Sequence, residues 1–205
     1  MTALPPLYLA SGNSHKVREL QDLADHDGLS LRIHSALDLG GMPEVVEDTG
    51  TFVGNARKKA HALHVAAPAG SWVMADDSGI CVDALNGAPG VESAYFAGAE
   101  GDDDANLQKL VEVMHEVPAD ARGAHYVCVL LLLTADGGAQ VFEGFCHGRL
   151  HRVPRGSGGF GYDPLFIPDG YEDTFGILSL ETKQELSHRA AAWRRFSSWA
   201  AAKAG

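Results

Sequence analysis

The sequence predicts a mixed α/β fold, on three observations. Short apolar runs alternate with helical patterns through the first quarter of the chain. Two long segments, 126–133 and 140–150, flank the turn Asp136-Gly137-Gly138 as a hairpin. The chain closes on a helical pattern over 187–203 that puts Ala192, Phe196, Trp199 and Ala200 on one face. With 205 residues, 45% hydrophobic and 21% charged, the chain suits one domain over 1–205 that can take the form of two lobes around a cleft.

In order, Leu7 to Ala10 reads as a strand and Ser14 to Ala24 as a helix that buries Val17, Leu20, Leu23 and Ala24. A second strand follows at 29–34. A helix over 51–66 has Phe52, Ala56, Ala60 and Leu63 as its inner stripe. Its Arg57, Lys58 and Lys59 read as a solvated face from which one base could reach a phosphate. Trp72 to Ala75 is a short buried strand, followed by Asp76-Asp77-Ser78-Gly79 as an acidic turn. Asp102-Asp103-Asp104 reads as the cap of a helix over 106–115. The almost wholly apolar segment 126–133 suits a central strand covered on both faces.

Composition narrows the function classes. A net charge of -11 disfavours broad binding to a nucleic acid polymer, which needs clustered Lys and Arg. Cys81, Cys128 and Cys146 are odd in number, form no CxxC pair and read as small buried hydrophobes in a reducing compartment. The segment Met1 to Pro6 lacks the pattern of a leader peptide, and no apolar run approaches the roughly 20 residues of a membrane span. A cytoplasmic protein with no membrane association is expected.

Four clusters carry chemistry. Ser11-Gly12-Asn13-Ser14-His15-Lys16 joins a strand to a helix, so its backbone N–H groups and the helix dipole favour an anion, to which Lys16 adds a full charge. The alternative there is a plain helix cap by Ser11 or Asn13. Glu47, Asp76 and Asp77 are the candidate ligands for a hard cation such as Mg²⁺, since adjacent acids at a strand end need a compensating charge. Asp48 reads as a cap of the next helix. Gly156, Gly158 and Gly161 spell G-x-G-x-x-G, but Asp163-Pro164 follows at once and the loop lies late in the chain, which argues against a dinucleotide fingerprint. Glycines there allow close approach to a ligand, and Phe160 and Tyr162 could stack on a base. Lys183, Ser187, His188 and Arg189 gather cations at a helix start, against the dipole preference, which an anion would resolve.

Together, Ser-Gly-Asn-x-x-Lys at 11–16, Ala-Asp-Asp-Ser-Gly at 75–79, Gly-Gly-Phe-Gly-Tyr-Asp-Pro at 158–164, and Lys183 with Ser-His-Arg at 187–189 closely resemble the inosine/xanthosine triphosphate pyrophosphatase family. Gly87-Ala88-Pro89-Gly90 and Asn106-x-x-Lys109-Leu110 extend the likeness along nearly the whole chain. The resemblance implies an elongated, two-lobed mixed-sheet fold with a central cleft, a homodimer, and Mg²⁺-dependent hydrolysis of ITP, dITP and XTP to monophosphate and pyrophosphate. By position, Ser11, Gly12, Asn13, Ser14, His15 and Lys16 would hold the triphosphate, with Lys183 as a second counter-charge. Asp77 would bind metal and accept a proton from water, beside the metal-binding Glu47 and Asp76. Ser78 would touch substrate. Phe160, Gly161, Tyr162 and Asp163, with His188 and Arg189, would hold and read the base. The chain departs from the family pattern at Gly54, Tyr95 and Ile177, where Glu, Arg and Glu are usual. A related enzyme of modified pyrimidine nucleotides and a non-catalytic nucleotide sensor are the rival readings, which the spectrum of nucleotides cleaved would separate.

Overall fold

The computed structural model describes residues 4–98 and 101–204; Met1, Thr2 and Ala3, part of the segment read for a leader, lie outside them. It is a mixed α/β fold with one six-stranded sheet. The strands are β1 (Leu7–Leu9), β2 (Ile33–Ser35), β3 (Trp72–Val82), β4 (Gly123–Leu133), β5 (Ala139–Leu150) and β6 (Phe166–Pro168). The helices are α1 (Ser14–His26), α2 (Phe52–His64), α3 (Asp103–Val113), α4 (Leu180–Leu186) and α5 (His188–Ala204). The sheet order is β2-β1-β3-β4-β5-β6; β1 runs parallel to both β2 and β3, and β5 antiparallel to β6.

The chain divides into two compact units. The first comprises Met1–Asp77, Cys128–Gly144 and Arg189–Gly205, the second Ser78–Val127 and Phe145–His188. Each has its own core. In the first, Leu20 and Leu23 of α1, Leu7 and Leu9 of β1, Met74 of β3 and Leu130 of β4 pack with Trp193 and Phe196 of α5. In the second, Ile80 and Val82 of β3 pack with Leu110 and Met114, Tyr126, Phe166 and Phe175. Strands β3, β4 and β5 each contribute residues to both units.

Most predicted elements are present with shifted ends. The expected acidic turn is not a turn: β3 continues through Asp76, Asp77, Ser78 and Gly79 to Val82. Polar residues after an apolar run predict a strand end, but cations supplied from other elements let both acids remain buried inside the strand. Asp102 does cap α3, its side chain accepting from Ala105 N at 3.0 Å. Asp48 does not cap α2; Thr51 does, accepting from Gly54 N at 3.1 Å, while Asp48 pairs with Lys58. Strand β6 and helix α4 were not expected, both being short. Among the described residues, no helix is long and apolar enough to cross a membrane.

Candidate active site

In the first unit, β1 delivers the chain to the loop 11–16 and α1 leaves it. Asn13 is the N-cap of α1, its side-chain oxygen accepting from His15 N at 2.9 Å and Lys16 N at 3.4 Å, while Ser11 Oγ accepts from Asn13 N at 3.1 Å. Capping and anion binding therefore use the same turn. Gly12, Ser14 and His15 are exposed, and a Cβ at Gly12 would meet nothing within 4 Å. Lys16 reaches across to β3, its Nζ 2.5 Å from Asp76 Oδ1.

Asp76 is fully buried and its two oxygens are met by cations. Arg189 Nε donates to Oδ2 at 2.6 Å and Nη2 to Oδ1 at 3.4 Å, with Lys16 on Oδ1. Burial works to raise the Asp76 pKa, but the charges of Arg189 and Lys16 outweigh it and hold the carboxyl well below the usual range. Cys128 donates its thiol to the same carboxylate at 3.5 Å, and burial together with the Asp76 charge keeps that thiol protonated. Arg189 Nη1 also donates to Glu19 Oε2 at 2.8 Å.

Asp77 points to a second group. Lys59 Nζ lies 2.5 Å from Asp77 Oδ1 and 3.0 Å from Glu47 Oε2, so one ammonium gathers two carboxylates. Burial lowers the Lys59 pKa, yet the pull of Asp77 and Glu47 exceeds it and the net shift is upward. Asp77 is pushed up to about 6, chiefly by burial, which Lys59 only partly offsets. Its second oxygen, Oδ2, is buried with no hydrogen-bond partner. The loop bearing Glu47 is pinned to α2 by buried Asn55, whose Oδ1 accepts from Thr49 N at 3.2 Å and Thr49 Oγ1 at 2.7 Å. Gly54 has a local reason here, since a Cβ would come within 2.3 Å of Thr49 Oγ1.

The second unit holds the glycine loop and α4. Lys183 Nζ donates to Asp163 Oδ2 at 2.7 Å and lies 4.7 Å from the centre of the Phe160 ring, a cation–π contact. Phe160 N donates to the same oxygen at 2.9 Å and Tyr126 Oη to Oδ1 at 3.3 Å. Asp163 thus ties loop, helix and β4 together. His188 stacks on Tyr126, ring centroids 4.6 Å apart and planes 8° from parallel. Tyr162 is buried and its hydroxyl donates to Ser93 O at 2.7 Å, so it belongs to the core rather than presenting a stacking face.

The structure brings Lys16 to Asp76, and Glu47 to Asp77, but does not gather all three predicted metal ligands. Among the described residues, no group of three or more His, Cys, Asp or Glu could hold a metal ion. Arg189 faces Asp76 and Glu19 in the first unit, and its chain neighbour His188 falls in the second. Ser78, the first residue of the second unit, is half-buried. The sequence reading places Lys59 on a solvated face, whereas it pairs with Glu47 and Asp77, and that reading misses Glu19 and the ring of Tyr126. Only Lys59 left a signal, standing four residues after buried Asn55 and so on the same face of α2.

Comparison with known proteins finds likeness along nearly all of the chain. The model of the Ham1 family matches residues 7–199. A protein of Opitutus terrae named dITP/XTP pyrophosphatase is 57% identical over 197 residues, 94% of this chain and 97% of that one. One of the same name from Rhodopirellula baltica is 44% identical over 199 residues, covering 96% and 93%. Among solved structures, the Staphylococcus aureus Ham1 protein superposes with a TM-score of 0.83 at 32% identity, over 97% of this chain and 99% of that chain.

Proposed function

This chain belongs to the Ham1 family, and we propose that it hydrolyses the deaminated purine nucleotides dITP, ITP and XTP to monophosphate and pyrophosphate. The observation that carries this reading is Lys59 drawing Glu47 and Asp77 together while Asp77 Oδ2 stays buried without a partner. Two hard carboxylates, one of them with an oxygen left unpartnered, fit Mg²⁺, which is held by one or two protein carboxylates, water and substrate phosphates. Glu47 and Asp77 would hold the ion; Asp76, committed to Lys16 and Arg189, would serve as their counter-ion. When bound, Mg²⁺ would neutralise the charge that develops on the phosphates.

The rest follows from the protein's own groups. The N–H groups of the 11–16 loop and Lys16 bind phosphate oxygens. Asp77 takes the proton of the attacking water, and a carboxyl pushed up to about 6 is a stronger base near neutrality than an ordinary aspartate. Phosphoryl chemistry asks little more of a protein than positioning and charge. In the second unit, Phe160, Asp163 and His188 hold the base, and Lys183 is a second counter-charge for the triphosphate. A pocket built to donate to a 6-oxo group leaves a polar group unpaired against a 6-amino group. Residues 1–205 act as one pyrophosphatase domain, as a homodimer, in the cytoplasm, where free thiols at Cys81, Cys128 and Cys146 are at home.

The test is pyrophosphate release from dITP, XTP, dATP, dGTP, dCTP and dUTP, each with Mg²⁺ and with chelator. Metal-dependent release confined largely to dITP and XTP is expected. Tight binding without release would make the protein a sensor, and a pyrimidine preference would overturn the purine assignment.

A further inference from the structure

Gly54 has no backbone reason to be glycine. It lies in the first turn of α2 without a left-handed φ, where alanine is the better helix former. Thr51 is the N-cap, which makes Gly54 the third helical residue. That position suits the second arm of a capping box, a Glu or Gln whose side chain reaches back to the N–H of the cap residue. Here Thr51 N donates instead to Thr49 Oγ1 at 3.4 Å, while Thr51 Oγ1 accepts from Gly54 N at 3.1 Å. Thr49 completes the box from outside the helix. It stands in the room that Gly54 leaves, since a Cβ at 54 would lie 2.3 Å from Thr49 Oγ1, 2.7 Å from Thr49 Cβ and 2.7 Å from Thr51 Oγ1.

Thr49 ends a segment that α2 grips residue by residue. Its N and Oγ1 donate to Asn55 Oδ1 at 3.2 and 2.7 Å, Lys58 Nζ donates to Val46 O at 3.0 Å and pairs with Asp48, and Lys59 Nζ meets Glu47 Oε2 at 3.0 Å. Turning a flexible side-chain end would not make room for a Cβ at 54, because Thr49 Cβ is itself in the way. The backbone of Thr49 would have to withdraw. Glu47 lies two residues back along the same segment and is joined to Asp77 through Lys59, so that withdrawal would reach the paired carboxylates.

We propose that Gly54 and Thr49 are a matched pair of positioning residues for Glu47: the absent side chain at 54 lets Thr49 take the place of the capping-box arm, and this seats residues 46–49 on α2 with Glu47 beside Asp77. Neither residue touches substrate or ion. The pair acts through the carboxylate it places. The inference rests on reading Glu47 and Asp77 as the holders of the divalent cation.

The experiment compares wild type with Gly54→Ala, Gly54→Gln, Thr49→Gly and the double variant Thr49→Gly/Gly54→Gln. Mn²⁺ binding to substrate-free protein is followed by the paramagnetic resonance of the free ion, the Thr49 amide by hydrogen exchange where threonine remains, and each fold by its melting temperature. Gly54→Ala and Gly54→Gln should each weaken Mn²⁺ binding by about tenfold or more and speed exchange at Thr49, as misplacing a ligand's support does. Thr49→Gly should weaken it as well and carries the test if a position 54 variant fails to fold. The double variant should bind Mn²⁺ more tightly than any of the three single variants, because the glutamine then completes the box in the space Thr49 has vacated and the backbone N–H at 49 keeps its acceptor on Asn55. Gly54→Ala with a raised melting temperature and unchanged Mn²⁺ affinity would make Gly54 an ordinary helix defect and overturn the proposal. A double variant no tighter than the single ones would overturn it too. Wild type that binds no Mn²⁺ would sink the reading of Glu47 and Asp77 as ligands, and exchange at Thr49 would still decide whether Gly54 seats the segment. Wild type that binds Mn²⁺ but releases nothing from dITP would sink the pyrophosphatase reading alone and leave the Mn²⁺ affinities to decide the role of the pair.

Discussion

Asp77 carries its charge against a burial cost that Lys59 only partly offsets, and two predictions follow from that imbalance. Asp77→Asn keeps the shape and removes the proton acceptor, so dITP turnover should fall by roughly 10²–10⁴-fold with little change in melting temperature. Near-normal pyrophosphate release would remove Asp77 from the chemistry. The second prediction concerns pH. In metal-free protein the Asp77 pKa is raised to about 6 from 3.8, so the fold prefers the protonated form. That contribution is complete below the unfolded value and is lost as pH rises through about 6. Mg²⁺ competes with this proton, and below about pH 6 each further unit should cost close to tenfold in metal affinity. The Mg²⁺-induced rise in melting temperature should therefore be larger at about pH 7.5 than at about pH 5. Equal rises at both would show that Asp77 does not hold the ion. The acids were legible in the sequence because two adjacent aspartates demand compensation; the compensating groups were not, since Lys59, Lys16 and Arg189 come from α2, α1 and α5 and only folding sets them against β3.

Among the elements, the glycine loop shows how a backbone choice can govern a charged pair. Gly159 has φ +74°, and a Cβ there would come within 2.0 Å of Asp163 Oδ2, the oxygen that accepts from Lys183 and Phe160 N. Gly161 has φ +59° with open space around its missing Cβ. Gly161→Ala should then cost only the left-handed backbone, roughly 1–2 kcal/mol. Gly159→Ala should cost that and also push Asp163 off Lys183, so KM for dITP should rise well beyond the Gly161→Ala value. Steady-state kinetics and melting curves on the pair check this; equal KM values would show that Asp163 does not set Lys183. Helix faces were easy to read in advance, because Leu20, Leu23 and Ala24, or Ala56, Ala60 and Leu63, repeat at helical spacing and are buried as expected. Strand β3 was misread for the opposite reason. Its acids break the apolar alternation, and their burial depends on long-range ion pairs that no local pattern reports. The short β6 and α4 carry too few residues for any periodicity.

At the scale of the molecule, two separate cores are built on three strands that serve both. The α/β class was legible because alternation of element types is a local property repeated along the chain. The division into units was not, since its boundaries fall inside β3, β4 and β5 rather than in linkers. A strand shared in this way cannot lose its ladder in one unit without disturbing the hydrogen bonds it continues in the other, so unfolding should be a single cooperative event. The sequence supplies a convenient probe: Trp72, Trp193 and Trp199 are its only tryptophans, and all belong to the first unit. Fluorescence therefore reports on that unit, whereas far-UV circular dichroism reports on both. The two transitions should coincide. A sharper form removes Phe166, which is fully buried in the second core, packed 4.7 Å from Tyr126 and 5.4 Å from Phe175. Phe166→Ala should destabilise by about 3–5 kcal/mol. If the units unfold together, the tryptophan midpoint must fall by the full amount although the substitution lies in the other core. A tryptophan midpoint that stays put while the dichroism transition splits would show two independently stable units, and with them a sheet whose shared strands do not couple its halves.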